Sequence, residues 1–122
     1  MVQTPSAPST TIQWIAVCPF SDIVPNTGVC ALIEGQQIAV FRVSNSDRAY
    51  AIGNYDPFRQ AFVLSRGIVG DRQGVLKVAS PIYKQNFNLM TGECLDDANV
   101  TVPSYPTRIV DGMVEIGVSS NK

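Results

Sequence analysis

Two proline-bearing segments hold most of the side chains in this sequence that chemistry could use: Asn54-Tyr55-Asp56-Pro57-Phe58 and Ser80-Pro81-Ile82-Tyr83-Lys84. Asp56 offers a carboxylate that could ligate a hard cation or accept a proton. Ser80 offers a hydroxyl. Each of those chemistries needs a partner group. Asp56 has no second carboxylate beside it, and an Asp ahead of a Pro in a turn ordinarily accepts backbone hydrogen bonds. Ser80 has no base, because the chain contains no histidine at all. That one absence excludes Ser-His-Asp and Cys-His catalysis, histidine-ligated zinc and non-haem iron triads. The three cysteines, Cys18, Cys30 and Cys94, form no C-x-x-C pair that would seed a metal site or a redox dithiol. They read as buried small hydrophobes in a reducing cytosol. The alternative is a thiol-based redox protein, or an electron carrier whose atypical iron–sulfur cluster uses the cysteines and a carboxylate. No P-loop or G-x-G-x-x-G phosphate cradle is present, so no catalytic residue is expected in this chain.

The two segments are loops set on strands. Arg48–Ile52 and Val75–Ala79 are apolar, strand-like runs, and each delivers one loop. Before them, Ile12–Val17 reads as a first strand ended by Pro19. Val29–Ile33 and Gln37–Val43 read as a hairpin around Glu34-Gly35-Gln36, and Ser44-Asn45-Ser46-Asp47 as a polar turn. Residues 54 to 74 read as the longest irregular stretch, and so long a loop is usually functional. Gln85–Leu89 alternates as a returning strand before the Thr91-Gly92 turn. Val100–Val102 is a further short strand, with Pro103 and Pro106 breaking the ladder after it. Asp111-Gly112 joins Arg108–Val110 to Met113–Val118 as a two-residue hairpin. No stretch carries helical spacing with a cap. The chain is therefore expected to be all-β, a small antiparallel sandwich or barrel of about nine short strands with two apposed loops.

A chain of 122 residues, 45% hydrophobic and 16% charged, is one globular domain in size and composition. The domain is expected over residues 12–118, between a Pro/Ser/Thr-rich tail at 1–11 and a short one at 119–122. A formal charge of −1 supplies no field to hold a phosphate backbone, and no apolar run is long enough for a membrane span. Nucleic acid and membrane are thus excluded as partners, and the N-terminus lacks the apolar core of a signal peptide. The expected location is cytoplasmic.

The spacing of the two loops resembles the cluster-binding loops of Rieske domains, which hold a two-iron cluster through C-x-H and C-x-x-H. The likeness extends from about Trp14 to Val118. It includes Asn54 and Pro57 in the first loop, Ser65-Arg66-Gly67 closing it, Val78-Ala79-Ser80-Pro81 leading the second, then Phe87 and Thr91-Gly92. The combination is similar to one branch of that superfamily, the small subunits of cytoplasmic NAD(P)H-dependent nitrite reductases. The resemblance implies ligand positions at Asp56, Phe58, Ser80 and Tyr83, none of which is Cys or His. It implies a Rieske-like fold without cluster or metal, acting as an accessory subunit. The partner it implies is a large subunit that holds FAD, an iron–sulfur cluster and sirohaem and reduces nitrite to ammonium.

Phe58 and Tyr83 stand where that resemblance puts histidines. One ring could fill the space a cluster would take, or project from the loop as an anchor for a partner. The resemblance also puts Gly after the second histidine, for close backbone approach, and here that position is Lys84. Arg59, Arg66, Arg72, Lys77 and Lys84 against Asp56 and Asp71 read either as a locally basic loop end or, equally, as an ordinary solvated face. Phe58, Arg59, Ile82, Tyr83 and Lys84 are accordingly the expected docking residues.

Overall fold

The computed structural model describes residues 12–44, 46–81 and 84–119. Its strands, in chain order, are β1 (Ile12–Pro19), β2 (Thr27–Ile33), β3 (Gln36–Arg42), β4 (Ala49–Gly53), β5 (Tyr55–Asp56), β6 (Ala61–Phe62), β7 (Ile68–Arg72), β8 (Val75–Ala79), β9 (Asn86–Asn88), β10 (Ser104–Tyr105), β11 (Thr107–Val110) and β12 (Met113–Ser119). Every pairing is antiparallel. The all-β expectation holds, with twelve short strands among the described residues rather than about nine, and two single 3-10 turns at Phe20–Asp22 and Leu64–Arg66.

β3 and β4 explain how the layers stack. Successive side chains of a strand point to opposite faces. Ile38, Val40, Ala49 and Ala51 enter one apolar cluster with Ile23, Val114 and Ile116. Ala39, Phe41, Tyr50 and Ile52 enter a second with Leu64, Val78 and Phe87. A strand buried on both faces must be apolar at every position, which is why these runs do not alternate in the sequence. The sheet β10-β4-β3-β2 is therefore a middle layer. The sheet β1-β12-β11 covers one face, and β7-β8-β9 with the two loops covers the other.

Three hairpins turn on a left-handed pair: Glu34-Gly35, Gln73-Gly74 and Asp111-Gly112, with φ of 50° and 81°, 53° and 87°, and 51° and 80°. Positive φ at both central residues is the turn whose twist matches the flanking strands. Two of these hairpins follow the sequence expectation. The third corrects it, since residues 54 to 74 are not one irregular stretch but contain β5, β6 and β7. β7 pairs with β8 from Ile68↔Ala79 to Arg72↔Val75. Its own side chains are half-buried or exposed, Ile68 being 70% exposed. Without a buried face it carries no alternation to read.

The prolines correct a second expectation. Pro103 and Pro106 do not end the ladder but bracket β10, which pairs with the edge of β4 at Ser104↔Ile52 and Tyr105↔Ala51. Proline lacks a donor but keeps its acceptor. The Pro103 carbonyl accepts the Gly53 N–H at 2.8 Å and that of Pro106 accepts the Gly117 N–H at 2.9 Å. Val100–Val102 is not a strand. Only the isolated bridge Glu93↔Thr101 forms there. β1 continues past Val17 to Pro19 across an irregularity between Ala16 and Cys18. At the other end Ser119 pairs with Ile12, so the domain includes residue 119. The expected tail at 1–11 lies outside the described residues.

Candidate functional site

β4 runs through Gly53 into Asn54, which fastens the base of the first loop. Asn54 is buried, and its polar atoms are all used. Its side-chain oxygen accepts the Ser65 N–H at 2.7 Å, and its Nδ2 donates to Gln37 Oε1 at 3.0 Å. Its main chain adds an N–H to the Gln37 carbonyl and a carbonyl for the Leu64 N–H, both at 3.1 Å. The turn Leu64–Arg66 is thereby tied to the loop. It ends at Gly67, where a Cβ would collide with the Ala79 carbonyl oxygen. Ser65-Arg66-Gly67 thus brings the first loop against the end of β8, where the second begins.

The two loops share one main-chain hydrogen-bond pattern. In Asp56-Pro57-Phe58-Arg59-Gln60 the Gln60 N–H donates to the Asp56 carbonyl at 2.7 Å. In the second loop the Lys84 N–H donates to the Ser80 carbonyl at 3.1 Å, four residues back as before. Proline follows the first residue in each. The fifth residue is left-handed in each, Gln60 at φ 56° and Lys84 at φ 61°. A Ser80 N–H bond to the Gln85 carbonyl, 2.9 Å, closes the second loop onto β9.

The side chains of the two first residues meet. Asp56 is 0% exposed and Ser80 1%. One carboxylate oxygen of Asp56 accepts the N–H groups of Phe58 and Arg59 at 2.8 and 3.2 Å, and the other accepts the Ser80 hydroxyl. A carboxylate this deeply buried is tolerable only when hydrogen bonds replace its water. The Phe58 ring is half-buried and lies 6.2 Å from the Phe87 ring at 52°, among the residues packed on the second cluster. Arg59 and Lys84 are exposed. Ile82 and Tyr83 lie outside the described residues.

These residues do not fit the cluster of a Rieske loop pair. That cluster takes thiolate and imidazole donors. Asp56 and Ser80 offer oxygens already engaged with each other, and the Phe58 ring has no donor atom. The cysteines stand elsewhere and are not the three buried hydrophobes the sequence suggested. Cys94 is buried, Cys18 half-buried and Cys30 exposed, where its sulfur lies 3.5 Å from Asn54 Nδ2. Burial pushes the Cys18 thiol up, with Asp22 adding to the effect, and burial also raises that of Cys30. An activated thiol is shifted the other way.

The basic balance at the loop end is smaller than the sequence count implied. Arg72 pairs with Asp96 at 3.2 Å, a residue beyond the stretch counted. Asp96 also accepts the N–H and side-chain N–H of Asn86 at 2.8 and 3.0 Å. The Asn86 backbone bond above all holds its carboxyl below the usual carboxylate range, with Arg72 contributing.

A pair of residues that sequence reasoning missed lies beside the first loop. Tyr55 and Phe62 face each other across β5 and β6, 40% and 52% exposed, with rings 5.0 Å apart and edge to face. They flank a groove of about 430 Å³ that also touches Gln37, Asn54, Pro57 and Tyr105. The only signal was their alternation with Asp56 and Ala61 on two strands of two residues each.

Residues 13–117 match the family model of the Rieske-like [2Fe-2S] domain. The nitrite reductase (NADH) small subunit of Salmonella typhimurium is 49% identical over 104 residues, 85% of this chain and 96% of that one. The solution structure of the nitrite reductase [NAD(P)H] small subunit from Erwinia carotovora superposes with a TM-score of 0.76 at 52% identity, covering 89% of this chain and 84% of that one. The nitrite reductase [NAD(P)H] large subunit of Klebsiella oxytoca is 37% identical over 113 residues, 93% of this chain and 11% of that protein. A counterpart of this domain is therefore one segment of a much longer polypeptide there.

Proposed function

The chain belongs to the Rieske-like domain family, among the small subunits of NAD(P)H-dependent nitrite reductase, and from that premise we propose that it is the accessory subunit of such an enzyme. Its partner is the large subunit, which supplies the FAD, iron–sulfur and sirohaem centres and reduces nitrite to ammonium. The observation that carries this reading is the pairing of strong likeness to the free small subunits with likeness to a segment inside the Klebsiella oxytoca large subunit. A domain found both as a separate subunit and within the partner's chain works against that partner. The atypical electron carrier and the thiol redox protein are not favoured by these relatives.

The subunit works in the cytoplasm, where NADH is available, and it carries no cluster of its own. The donor set of Asp56, Phe58 and Ser80 supports that reading, as does the direction of the Cys18 and Cys30 thiols. Iron and acid-labile sulfide assays on the purified chain should read blank. Stoichiometric iron with absorbance of a cysteine-bound cluster would defeat the cluster-free reading.

Docking occurs through the loop end, with Arg59 and Lys84 on the rim and Tyr55 and Phe62 beside them. Tyr83 and Ile82 complete the candidate set, and Phe58 fills the space beneath. Co-purification with the large subunit, and loss of NADH–nitrite activity on deleting this chain, test the function. Tyr55→Ala or Phe62→Ala should weaken association by about 2 kcal/mol, the scale of an interface hot spot, while hardly moving Tm. Arg59→Glu and Lys84→Glu should slow association and change its salt dependence. Association unaltered by all four would move the interface to another face.

A further inference from the structure

We propose that Asp56 is the positioning residue of the docking end, its carboxylate clasping the two loops in the place where the related fold has a cluster to bridge them. The inference rests on the docking reading given above. Three observations carry it. The loops leave different sheets, β4 in the middle layer and β8 in the outer one; Gly67 and the β7–β8 ladder bring the far end of the first loop to β8, but the turn that begins at Asp56 takes no part in that ladder. Each loop is closed on itself by a bond from the N–H of its fifth residue to the carbonyl of its first, Gln60 to Asp56 and Lys84 to Ser80, which ties neither loop to its neighbour. The two first residues are both buried, and the Ser80 hydroxyl reaches the Asp56 carboxylate.

Asp56 joins the two turns directly. One oxygen gathers the N–H groups of Phe58 and Arg59, which sets the first loop and the direction of both side chains. The other oxygen fixes where Ser80, and with it the Lys84 turn, stands relative to them. Held this way, Arg59 and Lys84 present their charges at a set separation before any partner arrives, and less ordering remains to be done on binding.

The test uses the full chain with its large subunit. Asp56→Ala, Ser80→Ala, the double variant and Asp56→Asn are compared for amide hydrogen exchange in both loops and for affinity. Val114→Ala, a core change in the cluster on the opposite face of the middle layer, controls for general loss of stability. The expected result is transmission across the clasp. Asp56→Ala should speed exchange at Lys84 in the other loop, and Ser80→Ala should speed it at Gln60. Each single change should weaken the partner about tenfold, with the double variant no worse than the singles. Asp56→Asn, which keeps an acceptor for the two N–H groups and gains a donor toward Ser80, should restore most of the affinity. Val114→Ala should lower Tm without changing affinity on the folded fraction. Exchange in the opposite loop that stays at the wild-type rate in both single variants overturns the clasp. If exchange does change and Arg59→Glu and Lys84→Glu weaken binding, yet Asp56→Ala leaves affinity intact, the positioning role is overturned while the docking reading stands. If none of these variants touches affinity, it is the docking reading that has failed.

Discussion

The Ser80 hydroxyl donates to the Asp56 carboxylate, so the first residue of each loop holds the first residue of the other. Both residues are buried, and both occupy positions that the Rieske resemblance assigns to sulfur ligands. Oxygen atoms bring the two loops together at the positions where the Rieske pattern has sulfur. A polar pair that satisfies itself leaves no reason for a metal to be required for folding.

Replacing Lys84 or Gln60 by Gly should stabilise the protein, because each is a non-glycine residue at a left-handed φ. That conformation costs about 1–2 kcal/mol for an L-residue, and the entropy Gly loses on folding returns roughly 0.5–1 of it. A net gain of about 0.5–1 kcal/mol is expected at each site. Urea titration with an unchanged slope measures it. A lower midpoint for both variants would show that the two side chains make contacts worth more than the strain.

Phe58→Ala should act on stability rather than on the partner. Full truncation of a core Phe costs about 3–5 kcal/mol. The Phe58 ring is half-buried against Phe87, so a loss of about 2–3 kcal/mol is expected. Affinity measured on the folded fraction should stay near wild type. The reverse pattern, with Tm kept and binding lost, would make Phe58 an exposed anchor.

Restoring four ligands by Asp56→Cys, Phe58→His, Ser80→Cys and Tyr83→His should not restore a Rieske centre. Phe58 leaves the packing on Phe87, and the buried carboxylate that orders the first loop is lost in the same step. Lys84 still places a side chain where close backbone approach is needed. Reconstitution followed by electron paramagnetic resonance decides the matter. A clean Rieske-type signal would sink the claim that the loops have diverged beyond their ligands.

The Asp96 carboxylate should keep its grip on Asn86 at mildly acid pH. Its folded-state pKa lies below the ordinary value, chiefly through the Asn86 backbone bond. The stability it contributes is therefore fully present above the unfolded-state pKa of about 3.9, and is lost only as pH falls through the lower folded-state value. Asp96→Asn should be less stable than wild type at pH 7 and pH 5, with the gap closing below about pH 3.9. A gap that closes between pH 7 and pH 5 would mean the carboxyl is not lowered.

The missing histidine and the unpaired cysteines removed most enzyme chemistries with no structure needed, since a side chain that is absent cannot ligate or catalyse. Asp111-Gly112 and the Glu34-Gly35 spacer announced their hairpins because positive φ at both turn residues is a local demand. The continuous apolar runs of β3 and β4 marked strands, and only the layers on either side revealed that both faces are buried.

Tertiary structure decided the rest where the energy comes from distant partners. β7 was hidden because its stability lies in ladder bonds to β8 and not in a buried face. β10 was hidden because Pro103 and Pro106 contribute carbonyls that find donors on Gly53 and Gly117, far along the chain. The charge of Arg72 read as free until Asp96 was placed beside it. Asp56 and Ser80 were each legible as loop residues. That they bond to one another depends on two sheets meeting, and a one-dimensional pattern holds no term for a contact between residues whose separation is set by the packing of everything between them.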